Sequence, residues 1–212
     1  MALPNSYELI VSFLSITRRI GIAAPLNTNY KGQEFEFYIK DMGTAAILIP
    51  RGSYEKEIAA VTAARTLKAA IAEYYWDGQS VVLDVKKKGG LTGKEYQDIE
   101  TANESDVALI LHTSRTTGAS KAVPLTHKNL IKPTGRAAEG VELDDNGDAV
   151  ARGEEGEECI GGENVMHGYL SNPIANASFL TNTNFFRTGD LGKLDEDGYL
   201  TLTGRIKDII NK

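Results

Sequence analysis

The apolar run Val107-Ala108-Leu109-Ile110-Leu111 leads straight into His112-Thr113-Ser114-Arg115-Thr116-Thr117-Gly118-Ala119-Ser120-Lys121, and this junction constrains the fold more than any other feature of the chain. The run reads as a buried strand, and the turn after it is phosphate-handling chemistry. A Gly/Ser/Thr-rich turn frees backbone N–H groups that form a concave nest for anions. The hydroxyls add donors, and a lysine supplies a point charge for phosphate oxygens. Consecutive Gly-Lys-Ser/Thr, which a Walker phosphate loop requires, does not occur here, and this argues against an ordinary nucleotide triphosphatase of that class. Standing alone, such a stretch also reads as a solvated turn. The rest of the chain has to decide.

Upstream, helical and strand signals alternate. Ser6 is placed to cap a helix over Tyr7 to Arg19, where Leu9, Ile10, Phe13, Leu14 and Ile16 recur at helical spacing. A short strand from Gly21 to Pro25 follows. Lys31 to Asp41 predicts a second helix and Ala45 to Ile49 a strand. Glu55 to Tyr75 then predicts one long Ala-rich helix before a strand over Ser80 to Val85. Helices alternating with short apolar strands imply parallel pairing in an α/β sheet. Beyond Pro133 the pattern changes. Asp144-Asp145-Asn146-Gly147-Asp148 and Asp195-Glu196-Asp197-Gly198 are tight turns between short strand-like runs, so this half reads as mainly antiparallel β.

A chain of 212 residues with 42% hydrophobic residues is long and apolar enough for a real core. The single cysteine, Cys159, leaves no internal disulfide framework and fits a reducing compartment. No apolar run approaches the ~20 residues that span a bilayer. Met1-Ala2-Leu3-Pro4-Asn5-Ser6 lacks the segments of a secretory signal, and Asn211-Lys212 is not a peroxisomal ending. The expected location is therefore intracellular, in the cytoplasm or an organelle lumen. A net charge of −6 argues against bulk nucleic-acid binding, which rests on clustered Lys and Arg. Acids crowd one stretch, Glu139, Glu142, Asp144, Asp145, Asp148, Glu154, Glu155, Glu157 and Glu158, with only Arg152 among them. No EF-hand spacing is present, so the stretch reads as a solvated hairpin surface. Three scattered histidines, His112, His127 and His167, and one cysteine make no metal site.

The run Thr113 to Ala122 resembles the phosphate-binding signature of the AMP-forming acyl-CoA synthetase and luciferase superfamily, roughly Thr-Ser-Gly-Thr-Thr-Gly-x-Pro-Lys-Gly. Arg115 and Ala122 stand where that pattern has glycine, and Ser120 where it has proline. Further pieces follow in the superfamily's order. Pro4-Asn5-Ser6 through Ala24-Pro25-Leu26-Asn27 and Glu34-Phe35-Glu36-Phe37-Tyr38 are similar to its upstream helix, strand and helix. Gly140-Val141-Glu142-Leu143 resembles the segment before its β hairpin. Gly156-Glu157 with Gly162-Glu163-Asn164-Val165-Met166-His167-Gly168-Tyr169-Leu170-Ser171-Asn172-Pro173 resembles its Gly-Glu…Gly-Tyr-x-x-x-Pro motif. Arg187-Thr188-Gly189-Asp190-Leu191-Gly192 and Gly204-Arg205-Ile206-Lys207-Asp208 are similar to its last two large-domain motifs. The wording around Gly162 points to the plant and fungal oxalyl-CoA synthetase-like branch.

The resemblance implies an α/β fold with a partial doubly wound parallel sheet and helices, followed by a mainly antiparallel β region. Residues 1–132 would form the AMP-binding subdomain with the phosphate loop, and 133–212 a β-rich subdomain ending at the hinge. Lys121, Gly118 and the hydroxyls of Thr113, Ser114, Thr116 and Thr117 would grip the phosphates of ATP. Asp190 would hold the ribose hydroxyls, since a carboxylate accepts both hydrogens of a vicinal diol. Arg205 would reach the ribose or phosphate side, and Lys207 would sit at the hinge. The reaction implied is carboxylate plus ATP giving acyl-AMP, then acyl-CoA, with Mg²⁺ and coenzyme A.

Several parts of that pattern are missing. After Leu125-Thr126-His127-Lys128-Asn129-Leu130 only Ile131 to Glu139 precedes the hairpin segment, where the superfamily has a long run of α/β units. The acyl pocket, the adenine-stacking aromatic and the Mg²⁺ glutamate belong to that run. The small C-terminal domain with the adenylation lysine is likewise expected to be absent. The expectation is an acid–thiol ligase by descent, its activity impaired or lost. The alternative is a non-catalytic remnant with weak nucleotide binding or only a protein-interaction role. Exposed core surface would favour self-association, and Arg115 is expected to impair the loop because a side chain there is costly.

Overall fold

The computed structural model describes residues 1–93, 101–113, 120–131, 139–144, 147–181 and 185–206, with the backbone alone for 139–142. Ser114, Arg115, Thr116, Thr117, Gly118 and Lys207 lie outside the described residues. The chain forms two units. Residues 1–102 with 108–110 make the first, and 103–107 with 111–212 the second.

The first unit holds α1 (Tyr7–Thr17), α2 (Gly32–Asp41), β1 (Ala46–Ile49), α3 (Ala59–Thr66), β2 (Ala70–Trp76) and β3 (Val81–Lys87). Its core gathers Phe35 and Ile39 of α2, Ile47 and Ile49 of β1, Val61 and its alanine neighbours on α3, and Ile71 of β2. The strands run in the order β1-β2-β3. The sheet is mixed: β1 and β2 are parallel, β2 and β3 antiparallel. The α/β class stands, and the antiparallel edge follows from the short turn at Asp77–Ser80, where the Asp77 carboxylate accepts the N–H groups of Gln79 and Ser80 at 2.8 Å. The segment Gly21 to Pro25 contributes a single parallel bridge, Ala23 to Leu109.

Two expectations are corrected here. The long helix over Glu55 to Tyr75 is instead α3 followed by β2. Positive φ at Glu57 (49°) and Lys68 (58°) bounds the helix on both sides, and pairing with β1 turns the remainder into a buried strand. Alanine favours helix intrinsically, but it is also small enough for a strand covered on both faces, and packing decides. The second correction concerns α1. Its buried positions are Ser12 and Thr17, while Tyr7, Ile10 and Leu14 are each more than half exposed. Burial of the hydroxyls is tolerated because Thr17 donates to Phe13 O at 2.9 Å and the Ser12 hydroxyl lies 2.9 Å from Leu9 O. Ser6 occupies the N-cap position with no side-chain capping bond.

The second unit holds two sheets. β4 (Val107–His112) pairs with β5 (Ala122–Thr126), and α4 (His127–Ile131) follows directly. The middle of β4 groups with the first unit and its ends with the second. A four-stranded antiparallel sheet runs β6-β7-β8-β9, from β6 (Glu139–Leu143), β7 (Gly156–Gly161), β8 (Phe186–Leu194) and β9 (Leu200–Arg205), with α5 (Pro173–Asn176) between β7 and β8. The acidic stretch is not uniformly a solvated surface. Glu157 and Glu158 in β7 are each only 6% exposed. No helix among the described residues is long and apolar enough to cross a membrane.

Candidate functional site

The neck of the hydroxyl-rich loop is closed like a hairpin. Thr113 N–H donates to Lys121 O at 3.0 Å, Lys121 N–H reaches Thr113 Oγ1 at 3.3 Å, and the Ser120 hydroxyl donates to Thr113 O at 2.5 Å. The Thr113 hydroxyl is therefore engaged in holding the neck. Lys121 extends its ammonium over the Tyr169 ring, 4.2 Å from the centroid. An aromatic face attracts a cation there and fixes the long side chain in one direction.

The strand after the loop is tied to the Gly-Glu-Asn-Val segment by a buried asparagine. Asn129 Oδ1 accepts from Thr126 N–H and from the Thr126 hydroxyl, both at 2.9 Å. Its Nδ2 donates to Glu163 O at 2.8 Å and Val165 O at 3.0 Å. Lys128 and Glu163 add an ion pair at 2.7 Å, and Leu170 N–H donates to Ala122 O at 2.9 Å. Asn176 then holds Tyr169 through both backbone groups, each at 2.8 Å, against Gly168 at φ 149°. The Cβ of any residue other than glycine at 168 would stand 3.2 Å from Asn176 Oδ1.

Asp190 and Arg205 come together directly across β8 and β9, with Arg205 Nε donating to Asp190 Oδ1 at 2.5 Å. Asp190 is set by the turn before it. Gly189 takes φ 77° and its N–H donates to Glu157 Oε1 at 3.1 Å. Thr188 Oγ1 donates to Glu158 O at 2.7 Å and accepts Asp190 N–H at 3.0 Å. Buried Glu157 is in turn gripped by Arg187 through Nε at 2.8 Å and through a second guanidinium nitrogen. That hydrogen bond holds the Arg187 guanidinium above its ordinary pKa.

A continuous line of contacts joins the two clusters. The Lys121 ammonium sits on Tyr169, whose ring packs 5.8 Å from Phe179. Phe179 O accepts Arg187 N–H at 2.9 Å, and Arg187 leads through Glu157 to Gly189 and Asp190. Thr113, Lys121, Asp190 and Arg205 are thus linked within the second unit by a chain of hydrogen bonds, one cation–π contact and one ring–ring contact. Sequence reasoning missed Asn129, Glu157 and Arg187 as its supports. Glu157 lay in an acidic run whose bulk suggested solvent, and only its position after Gly156 in a family motif signalled otherwise.

Residues 1–142 match the family model described as AMP-binding enzyme. The chain belongs to the AMP-binding enzyme family. An oxalate–CoA ligase of Saccharomyces cerevisiae is 25% identical over 373 residues, covering 100% of this chain and 69% of the yeast protein. An oxalate–CoA ligase of Arabidopsis thaliana is 36% identical over 132 residues, 61% of this chain and 25% of the plant protein. These two place the chain with the oxalyl-CoA synthetase-like branch of the family. Among solved structures, apo MatB from Rhodopseudomonas palustris superposes with a TM-score of 0.76 at 18% identity, over 98% of this chain and 68% of that one. The yeast match spans 373 residues and this chain has 212. The relative therefore carries a long stretch inside the matched span for which this chain has no counterpart.

The family implies Mg²⁺ as well as a nucleotide. Among the described residues no group of three or more His, Cys, Asp or Glu side chains could hold a metal ion.

Proposed function

We propose that this chain is an ATP-dependent acid–thiol ligase by descent that retains nucleotide recognition and has lost most or all of its acyl transfer. In the complete reaction a carboxylate oxygen attacks the α-phosphorus of ATP and pyrophosphate leaves. A thiol then attacks the acyl carbon and AMP leaves. The closed neck at Thr113 and Lys121 carries the reading, because it brings the two ends of the hydroxyl-rich segment together and holds a lysine at its base, the point charge a phosphate site uses. Thr116, Thr117, Ser114 and Gly118 would supply the nest itself. Asp190 would offer its carboxylate to the ribose, with Arg205 holding Oδ1 and leaving Oδ2 for the diol. Lys207 would lie at the hinge.

The acid would be small and anionic if it follows the two oxalate–CoA ligases, and coenzyme A would be the thiol. The internal stretch without a counterpart is the reason acyl transfer is impaired, since a nucleotide half-site positions no acid against the α-phosphorus. The exposed Leu200 and Leu202 of the edge strand β9 support self-association of copies of this chain.

Titration calorimetry with ATP, paired with pyrophosphate exchange in the presence of oxalate and a panel of short and aromatic acids, tests the proposal. Saturable ATP binding that Lys121→Ala weakens and Arg115→Gly strengthens, with exchange at background, is the expected result. Absence of binding at millimolar ATP refutes nucleotide recognition and favours the purely protein-interacting remnant. Brisk exchange refutes the loss of transfer.

A further inference from the structure

The first unit contains a cavity of about 600 Å³ lined by none of the residues proposed for nucleotide recognition. Buried Leu26, Ile39 and Ile47 line one part of it. Ile22 and Leu83, 50% and 57% exposed, line another, so the cavity is open to solvent beside apolar side chains. No carboxylate, ammonium, guanidinium or imidazole side chain is among its lining residues, and the one ionisable group there, the Met1 amino terminus, already donates to Ala24 O at 2.6 Å and is lowered by burial to a pKa of about 5. The buried Ser12 hydroxyl on its wall is already committed to the protein, 2.9 Å from Leu9 O and 3.2 Å from Met1 Sδ.

These features select the chemistry of an occupant. Water needs two to four polar partners to be stable in an enclosed site, and this lining offers few. A charged molecule would lose its hydration with no counter-charge to replace it. An apolar molecule would gain both the burial of its own surface and that of the cavity wall. The volume falls within the usual range of pockets that enclose drug-sized ligands. We propose that this cavity, between α1, β1 and β3, is a binding site for a neutral, predominantly apolar small molecule.

Fluorescence titration of the whole chain with N-phenyl-1-naphthylamine tests the site. Saturable binding in the micromolar range is expected. Leu83→Asp at the open side and Ala46→Trp, which fills the space, should each weaken it by about tenfold or more. Far-UV circular dichroism verifies that each variant is folded, and the two act by different means, so misfolding of one leaves the other decisive. Val85→Asp lies on the same strand and outside the lining, and should leave binding unchanged. The anion 1-naphthoate should bind about tenfold more weakly than the neutral probe. Linear, unsaturable uptake overturns the proposal, as does equal loss in the Val85→Asp variant, which would mark a generally adhesive surface. Equal affinity for 1-naphthoate overturns the assignment to neutral ligands.

Discussion

Replacing Asn129 by alanine removes the clamp between β5 and the Gly-Glu-Asn-Val segment, and the structure sets the size of the effect. Four side-chain hydrogen bonds vanish, two accepted from Thr126 and two donated to Glu163 O and Val165 O. Each is worth about 1 kcal/mol net, and groups left buried without a partner cost up to about 3 kcal/mol. Asn129 and Thr126 are both only 7% exposed, so Thr126 N–H has little access to water. Glu163 is exposed, so water repairs part of that side. The expected loss is about 3 kcal/mol, which moves the urea midpoint by about 1–2 M at ordinary slopes. Circular dichroism against urea reads it. Asn129→Asp adds a sharper test. It keeps both accepted bonds but loses the two donated ones and turns a carboxylate toward two carbonyl oxygens. A group whose charged form is disfavoured has its pKa raised, so the penalty is full at neutral pH and shrinks as acid protonates it. A loss below about 0.5 kcal/mol for alanine, the size of an ordinary surface change, would refute the clamp. So would an Asn129→Asp deficit that ignores pH.

Two further outcomes follow from buried charges. Burial raises the pKa of Glu73, but N–H donors from Tyr54 and Gly52 and the nearby Lys86 outweigh it, leaving the carboxyl below its ordinary value. A lowered folded pKa gives stability that is complete above the unfolded value, about 4.3, and lost as pH falls through the folded one. Glu73→Gln should therefore be less stable at pH 7 and show a shallower loss between neutral and acid conditions in urea titrations. Parallel curves would discard the assignment. Arg187→Ala leaves the Glu157 carboxylate 6% exposed without its guanidinium. The cost should be about 2–3 kcal/mol, reduced from that of a fully buried pair because Arg187 is itself partly exposed. ATP affinity measured by calorimetry should fall with it, since Gly189 and Asp190 hang from Glu157. Unchanged affinity in a folded variant would separate the framework from the site.

The family was legible in the sequence because its motifs are local. Gly189 before Asp190 needs a positive φ, Gly168 sits where a Cβ would crowd Asn176, and the hydroxyl-rich loop follows its apolar strand with no residues intervening but His112. Such requirements are met or broken within a few residues. The family motifs and the antiparallel second half were readable for that reason. Support from a distance was not. Asn129 reads as an ordinary helix residue until the chain 34 residues further on brings Glu163 O to it. Glu157 looks like one acid among many until Arg187 arrives from the neighbouring strand.

By itself, then, the sequence determined the family, the α/β character of the first half and the antiparallel β character of the second, since propensity, turn geometry and side-chain type act over short spans. Tertiary structure decided which faces are covered. It divided the Ala-rich stretch from Glu55 to Tyr75 into α3 and β2, because alanine satisfies both a helix and a strand enclosed by β1 and β3. It turned Ser12 and Thr17 of α1 inward while Ile10 and Leu14 remain exposed. Periodicity states only that a helix has an apolar side. Where that side points depends on what other chain is present to meet it, because burial is energetically favourable only against a partner surface.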